Sequence, residues 1–381
     1  MATFFDPTPE ERRKLEEIAA GIPEMQATLV RNHPQLTMPD RGAHQQQLAA
    51  SRVVLKAAAT LPPALDGLGV FHRGSERVGI GRISTGLGCP HAETDPDFLG
   101  LMVAFRSPAG RRIDFITIND PTSPTDTPEE FLALLQATAT SAASSNLLAS
   151  RALLLAGLVR HAGLRAPVIA SHVTAQTLRT ERSTTAYQQY WTGIVRARDV
   201  LGKFTFVPAN DGPAAGEIEQ GPARFTRDWR RRQSAGPLVF DLRWIPFVDE
   251  RSTSLENLTA PWTDAQQVSV GTVTFVQTDP ETADAKLVAL LATEMGANAG
   301  NWEEAPGADP LRLPATRFTA TRQLAYRASQ QLRRALPDEG YASYFERGEI
   351  GPALANELIR RYQDKRAAGH WVPDVGEMAV V

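Results

Sequence analysis

The chain of 381 residues carries a single cysteine, Cys89. One thiol excludes an intrachain disulfide and any cysteine-rich metal site. It fits a reducing compartment, and a cytoplasmic protein is the expectation. A cationic excess is also missing: 40 Lys and Arg stand against 43 Asp and Glu, a formal net charge of −3. That balance gives no reason to expect nucleic acid as a partner. The one basic run, Arg227-Asp-Trp-Arg-Arg-Arg-Gln233, reads as a solvated surface. The amino terminus has neither a basic n-region nor an apolar run, so no secretory signal is expected. The longest apolar stretch, about 146–159, is interrupted by Arg151 and is too short to span a bilayer, so no membrane partner is expected either.

Several common catalytic signatures are absent as well. There is no H-E-x-x-H, no Walker loop and no G-x-S-x-G elbow. Gly86-Leu-Gly88 runs into Cys-Pro and not into a helix start, so it is no dinucleotide fingerprint. His91-Ala-Glu93 has the shape of a zinc-deaminase H-x-E but lacks the downstream P-C-x-x-C that this chemistry needs.

What is present reads as an ordinary globular chain with ample core, 42% hydrophobic and 22% charged. Residues 8–21 form an amphipathic helix capped by Thr8 with Pro9 in its first turn. Residues 52–60 are ambiguous by periodicity. Three β-prone runs follow at 77–85, 98–106 and 111–119, the last two joined by the turn Ser107-Pro-Ala-Gly110. Helices are expected at 128–137 and 141–163, the second Ala/Leu-rich and buried. A second set of β-prone runs occupies 202–208, 237–247 and 267–276, with a long connection at 249–262. Residues 208–221 read as a Gly/Pro/Ala-rich surface loop. Helices at 281–296, 319–334 and 350–367 complete the chain. Two groups of antiparallel strands, with helices inserted between and appended after, imply an α+β protein around a closed or nearly closed antiparallel β-barrel.

Arg322, Tyr326 and Arg333 lie in one segment free of Gly and Pro. At roughly 100° per residue they return to nearly one helical face. A guanidinium one turn before a tyrosine can stabilise its phenolate, and a tyrosinate can be an axial ligand to haem iron. The second arginine could meet an anionic propionate.

Three further segments combine with this helix: Arg41-Gly-Ala-His44, Gly81-Arg-Ile-Ser-Thr85 and Ile113-Asp-Phe-Ile-Thr-Ile-Asn-Asp-Pro121. Together they resemble the haem catalase superfamily, specifically its short catalase-related branch. That family places an Arg three residues before its distal His, as Arg41 precedes His44. It follows with R-F-S-T, matched by Arg82-Ile-Ser-Thr85, and D-L-V-x-N-N-x-P, matched by 114–121. Its proximal helix reads R-x-x-x-Y with another Arg seven residues on.

The resemblance implies a single haem domain over 1–381: an N-terminal arm with the distal His over 1–60, a barrel with inserted helices over 70–280, and C-terminal helices with the proximal Tyr over 281–381. It implies haem b (iron protoporphyrin IX) as cofactor, with Tyr326 as iron ligand and Arg322 keeping it deprotonated. Arg41, Arg82 and Arg333 would pair with the propionates. His44 would move a proton between the peroxide oxygens, Asn119 would orient the peroxide, and Ser84 would fix the ring of His44. The implied function is reduction of hydrogen peroxide or an organic peroxide through a ferryl intermediate, by an enzyme of catalase or peroxidase type. A hydroperoxide isomerase, a peroxide-driven oxygenase of a small metabolite and a non-catalytic haem-binding protein are the alternatives. A homodimer or larger homo-oligomer fits the family.

The chain departs from the pattern in several places. Leu99 stands where the family has Arg, Gln45-Gln-Gln47 replaces Ala-Lys-Gly, and Pro121-Thr-Ser-Pro-Thr125 lacks the family's phenylalanines. A roomier and more polar distal pocket is the expectation, open to organic peroxides or an organic reductant.

Overall fold

The strands of this protein run β1 (Gln47–Ala57), β2 (Glu76–Thr85), β3 (Leu99–Arg106), β4 (Arg112–Ile118), β5 (Tyr190–Thr192), β6 (Val195–Ala197), β7 (Val200–Pro208), β8 (Leu238–Pro246) and β9 (Val268–Phe275). The structure is a computed structural model and describes residues 5–144, 146–180, 184–209, 220–263, 265–301 and 315–376. In the sheet the order is β5-β4-β3-β2-β1-β9-β8-β7-β6, and β5 also pairs with β7. That extra pairing closes the ring from β5 round to β7 into an antiparallel barrel and leaves β6 as a short hairpin on β7. The fold is α+β with a closed antiparallel barrel.

The barrel interior is filled with side chains. Phe71, Phe105, Phe115, Phe204, Phe206, Phe240 and Phe275 are all fully buried in one cluster, so among the described residues the barrel interior is a packed core. A second cluster lies on the outer face of β2 and β3, beneath helices α6 (Ala283–Glu294), α8 (Ala342–Arg347) and α9 (Pro352–Ala367). Strands buried on both faces lose the apolar–polar alternation of a half-exposed strand. Within that outer layer Arg112 donates to Asp114 Oδ1 at 2.6 Å, and Asp114 Oδ2 accepts from the Asn298 backbone at 2.9 Å and from Asn301 Nδ2 at 2.7 Å. This buried pair ties the chain leaving α6 to the barrel.

The strand and C-terminal helix expectations fall within a few residues of the observed elements. β1 occupies the ambiguous segment, with Val53, Leu55 and Ala57 turned inward. Four readings are corrected. The first helix, α1, continues to Asn32 through Pro23, carried by a buried stripe that resumes at Met25 and Leu29. The basic run lies on α5 (Arg224–Ala235), an amphipathic helix whose Trp229 plugs the barrel core, while Arg231 and Arg232 are answered by the buried Asp228.

The expected helix over 141–163 is instead the end of α2 (Pro128–Ser141) followed by α3 (Leu147–Ala162). A short turn, Gly163–Arg165, leads into a further helix, α4 (Ala166–Thr180), that the sequence reading did not anticipate. These helices are not buried as expected: Leu148, Leu155, Val159 and Leu164 are exposed. Across that turn, Leu148–Leu178 is long and apolar enough to cross a membrane, by length and composition. Most of the Gly/Pro/Ala-rich loop at 208–221 lies outside the described residues.

Candidate active site

His44 ends the loop between α1 and β1, with its backbone at φ 56°. A non-glycine residue rarely adopts this conformation, so the surroundings must hold it. The His44 N–H donates to Gly86 O at 3.0 Å, and the next N–H, of Gln45, donates to Leu87 O at 3.1 Å. The ring is fixed on three sides. Ser84 Oγ lies 3.2 Å from Nδ1. Phe98 meets the ring edge-on at 5.9 Å between centroids. Gly100 lies flat against it: a β-carbon there would fall 2.5 Å from Nδ1. With Nδ1 engaged by Ser84, Nε2 is the nitrogen left to act. Burial, and then the positive charge of Arg82, push the imidazole down to about 4. The ring is therefore neutral near pH 7, the form that can accept a proton.

Across the cavity stands α7 (Arg317–Leu332). Thr316 caps it by accepting from the Thr319 N–H. Arg322 and Tyr326 lie one turn apart on the face turned to His44, as their spacing requires. Arg322 Nη2 donates to the Tyr326 oxygen at 3.2 Å, with the guanidinium carbon 5.6 Å from the ring centroid. His44, Arg322 and Tyr326 line one cavity of about 970 Å³, at the upper end of the ~300–1,000 Å³ usual for small-molecule sites. Its walls include Phe98, Ile116, Ile118, Phe131, Leu134 and Phe318. Polar groups share the lining with them, among them His91, Asp97, Thr117, Asp120 and Thr192.

Behind the His44 loop, Arg41, Arg82 and Arg333 cluster. Arg41 donates to the carbonyls of Ala292, Thr293 and Met295 at 2.9–3.1 Å, and Arg333 reaches Thr293 O and Met295 O at 3.3 and 2.7 Å. These carbonyls close the C-terminal end of α6, the negative end of its dipole. Arg82 donates to His44 O at 2.7 Å, Gln45 O at 3.1 Å and Gln47 Oε1 at 3.1 Å. Among the described residues none of the three holds a carboxylate in an ion pair. Burial and mutual repulsion depress Arg41, and burial takes Arg82 down to about 9. None of them lines the cavity; each is turned onto backbone carbonyls.

Asn119, like Ser84 and the three arginines, is not among the residues that line this cavity. Its Oδ1 accepts from the Leu99 N–H at 2.7 Å, and its Nδ2 donates to Gln188 Oε1 at 2.5 Å. Side chains alternate along a strand. Phe115, of the same parity as Asn119, packs inside the barrel, while Ile116 and Ile118 face out into the cavity. The position is corrected accordingly: Ile118 stands on the wall and Asn119 braces β3 and the chain entering β5.

Several cavity residues escaped the sequence reading. Asp97 accepts from the Gly86 and Leu87 N–H groups at 2.7 and 3.0 Å and holds His91 at 3.3 Å. Lys203 lies 4.7 Å over Trp262, and burial lowers it to about 8. Gly100 and Phe98 frame His44. Only Gly100 had a local signal, a glycine at the second position of a strand.

No family model matches the chain, and no curated protein matches it in sequence. Solved structures do resemble it. A bacterial catalase shares 17% identity at a TM-score of 0.58, over 78% of this chain and 58% of that one. A fungal catalase shares 16% identity at 0.54, over 80% and 62%. Catalase A from Saccharomyces cerevisiae shares 12% identity at 0.59, over 83% and 66%. The chain thus spans less than two thirds of each of these proteins, and at these identities the likeness is one of fold. The fold of this chain is catalase-like.

Proposed function

We propose that this chain is a haem-dependent, peroxide-using oxidoreductase with a preference for organic peroxides. The observation that carries the reading is the Arg322–Tyr326 pair, 3.2 Å apart, facing His44 across one cavity. The residues present fit haem b. Tyr326 would hold the iron, with Arg322 donating a hydrogen bond to its oxygen. The buried cluster of Arg41, Arg82 and Arg333, whose nearby negative charges are Asp40 and, for Arg41, Glu294, would supply the cationic partners that two propionates need when buried. Haem, when bound, supplies the redox chemistry toward peroxides that no side chain here offers.

The remaining work falls to the chain. His44, neutral because burial and Arg82 depress its pKa, takes a proton from the peroxide and returns it to the departing oxygen. Ser84, Phe98 and Gly100 hold its ring in place. Ile118 offers no hydrogen bond to a second polar atom of the peroxide, so hydrogen peroxide would be poorly oriented. The apolar walls of Phe98, Ile116, Phe131 and Leu134 favour a peroxide bearing an apolar substituent. The test compares kcat/KM for cumene hydroperoxide and hydrogen peroxide in the haemin-loaded protein with a dye reductant. A preference of about tenfold or more for the organic peroxide supports this reading. Fast disproportionation of hydrogen peroxide with oxygen release would sink the preference.

A further inference from the structure

Residues 147–180 contain four arginines, two histidines and no Asp or Glu. In the fold, one side of this stretch packs on α2, where Leu154, Leu158, Ala166 and Ile169 meet Leu134 and Ala137. The other side faces outward. Leu148, Leu155 and Val159 recur at seven and four residues along α3, which keeps them on one helical stripe. They are 76%, 49% and 55% exposed, and Leu164, on the turn between the helices, is 98% exposed. Val168 and Leu178 extend the patch onto α4; only Val248 and Leu332 are comparably exposed elsewhere among the described residues. An apolar patch of this extent marks an interaction site. Within the stretch the charges have one sign, with Glu24 of α1 near His161: Arg151 and Arg160 are exposed and hold no ion pair among the described residues, while Arg165 is turned back to Asp126 and Glu130.

We propose that α3, α4 and the turn between them dock on an anionic lipid bilayer surface. Leucines backed by arginines, with no acid in the stretch, match the pattern of a helix that lies in the headgroup boundary. The side already covered by α2, and the interrupting arginines, suit a helix lying on the bilayer and not one spanning it. Leu155 and Leu178 are exposed and also line the cavity, as does Arg151. Docking therefore sets the cavity mouth against lipid, the phase in which apolar peroxides dissolve. This last step rests on the function proposed above; the docking itself does not.

The test is co-sedimentation of the full chain with phosphatidylglycerol-containing vesicles and with pure phosphatidylcholine vesicles. Binding to the anionic vesicles is expected to be stronger by roughly tenfold and to weaken with added salt. Leu148→Glu/Val159→Glu/Leu164→Glu, none of which lines the cavity, should weaken it about tenfold or more. Val248→Glu, equally exposed elsewhere, should leave it unchanged. Arg160→Gln alone should lower the anionic preference severalfold, which keeps the test decisive if the triple variant misfolds. Haemin uptake, read separately, distinguishes the two readings: lost uptake with intact vesicle binding refutes the haem function and leaves the docking standing. The docking is overturned if the wild-type chain binds neither vesicle, or if the triple variant binds as well as wild type. It is equally overturned if sedimentation velocity shows only self-association that the variant abolishes, which would assign the face to a second copy.

Discussion

Gly100 lies flat against the imidazole of His44, so close that a β-carbon would sit 2.5 Å from Nδ1 and 2.6 Å from Cε1. A strand position that admits no side chain is what lets the ring lie on the barrel wall and face Tyr326. Gly100→Ala must push the ring off Ser84. The expected outcome is haem uptake close to wild type with a loss of peroxide reactivity of about tenfold to a hundredfold. Stopped-flow reaction with peroxide, set beside a haemin titration, measures both.

The His44 ring is neutral over an unusually wide pH range. Its folded pKa, about 4, lies below the 6.5 of an unperturbed imidazole, because burial and Arg82 disfavour the charged form. Between these values the unfolded chain binds a proton that the folded chain does not. Stability is therefore intact above pH 6.5 and declines as pH falls toward 4, by roughly 3 kcal/mol in all. In the haem-free protein an NMR titration of His44 should show a midpoint near 4. His44→Ala should flatten that part of the stability–pH curve; an unchanged slope would assign it to other groups.

Ile118 and Asn119 make opposite predictions. Ile118→Asn places an amide on the cavity wall and should raise kcat/KM for hydrogen peroxide by about tenfold. Asn119→Ala removes a buried acceptor from Leu99 N–H and a donor to Gln188, and should cost about 1–3 kcal/mol of stability. Its effect on the peroxide step should be small at temperatures where the variant stays folded. Denaturant melts and steady-state kinetics on both variants separate the two; a selective loss of peroxide turnover in Asn119→Ala would contradict the geometry.

The tyrosine helix was legible because helical spacing alone puts Arg322 and Tyr326 on one face, whatever surrounds them. The strands were legible from β-branched runs and from the Ser107–Gly110 turn. The distal wall was not. Along Asp114–Asn119 both parities carry apolar residues, because β4 is buried on both sides, and nothing in the residues says which side meets a cavity. Family spacing selected Asn119, and one residue of parity moved the wall to Ile118. Composition misled in α3 and α4, where an Ala/Leu-rich sequence suggested a core helix. One apolar side does meet α2, and the other is left facing outward. The arginine cluster was visible as residue types, but its backing by the carbonyls that close α6 depends on chain contacts about 250 residues apart, such as Arg41 with Ala292.

The central claim is that Tyr326, held by Arg322, binds haem iron, and the absorption spectrum of the haemin-loaded protein tests it most directly. The account predicts a stoichiometric, high-spin ferric haem spectrum that is lost or clearly shifted in Tyr326→Phe and retained in His44→Ala. A protein that takes up no haemin, or a spectrum identical in Tyr326→Phe, would contradict it.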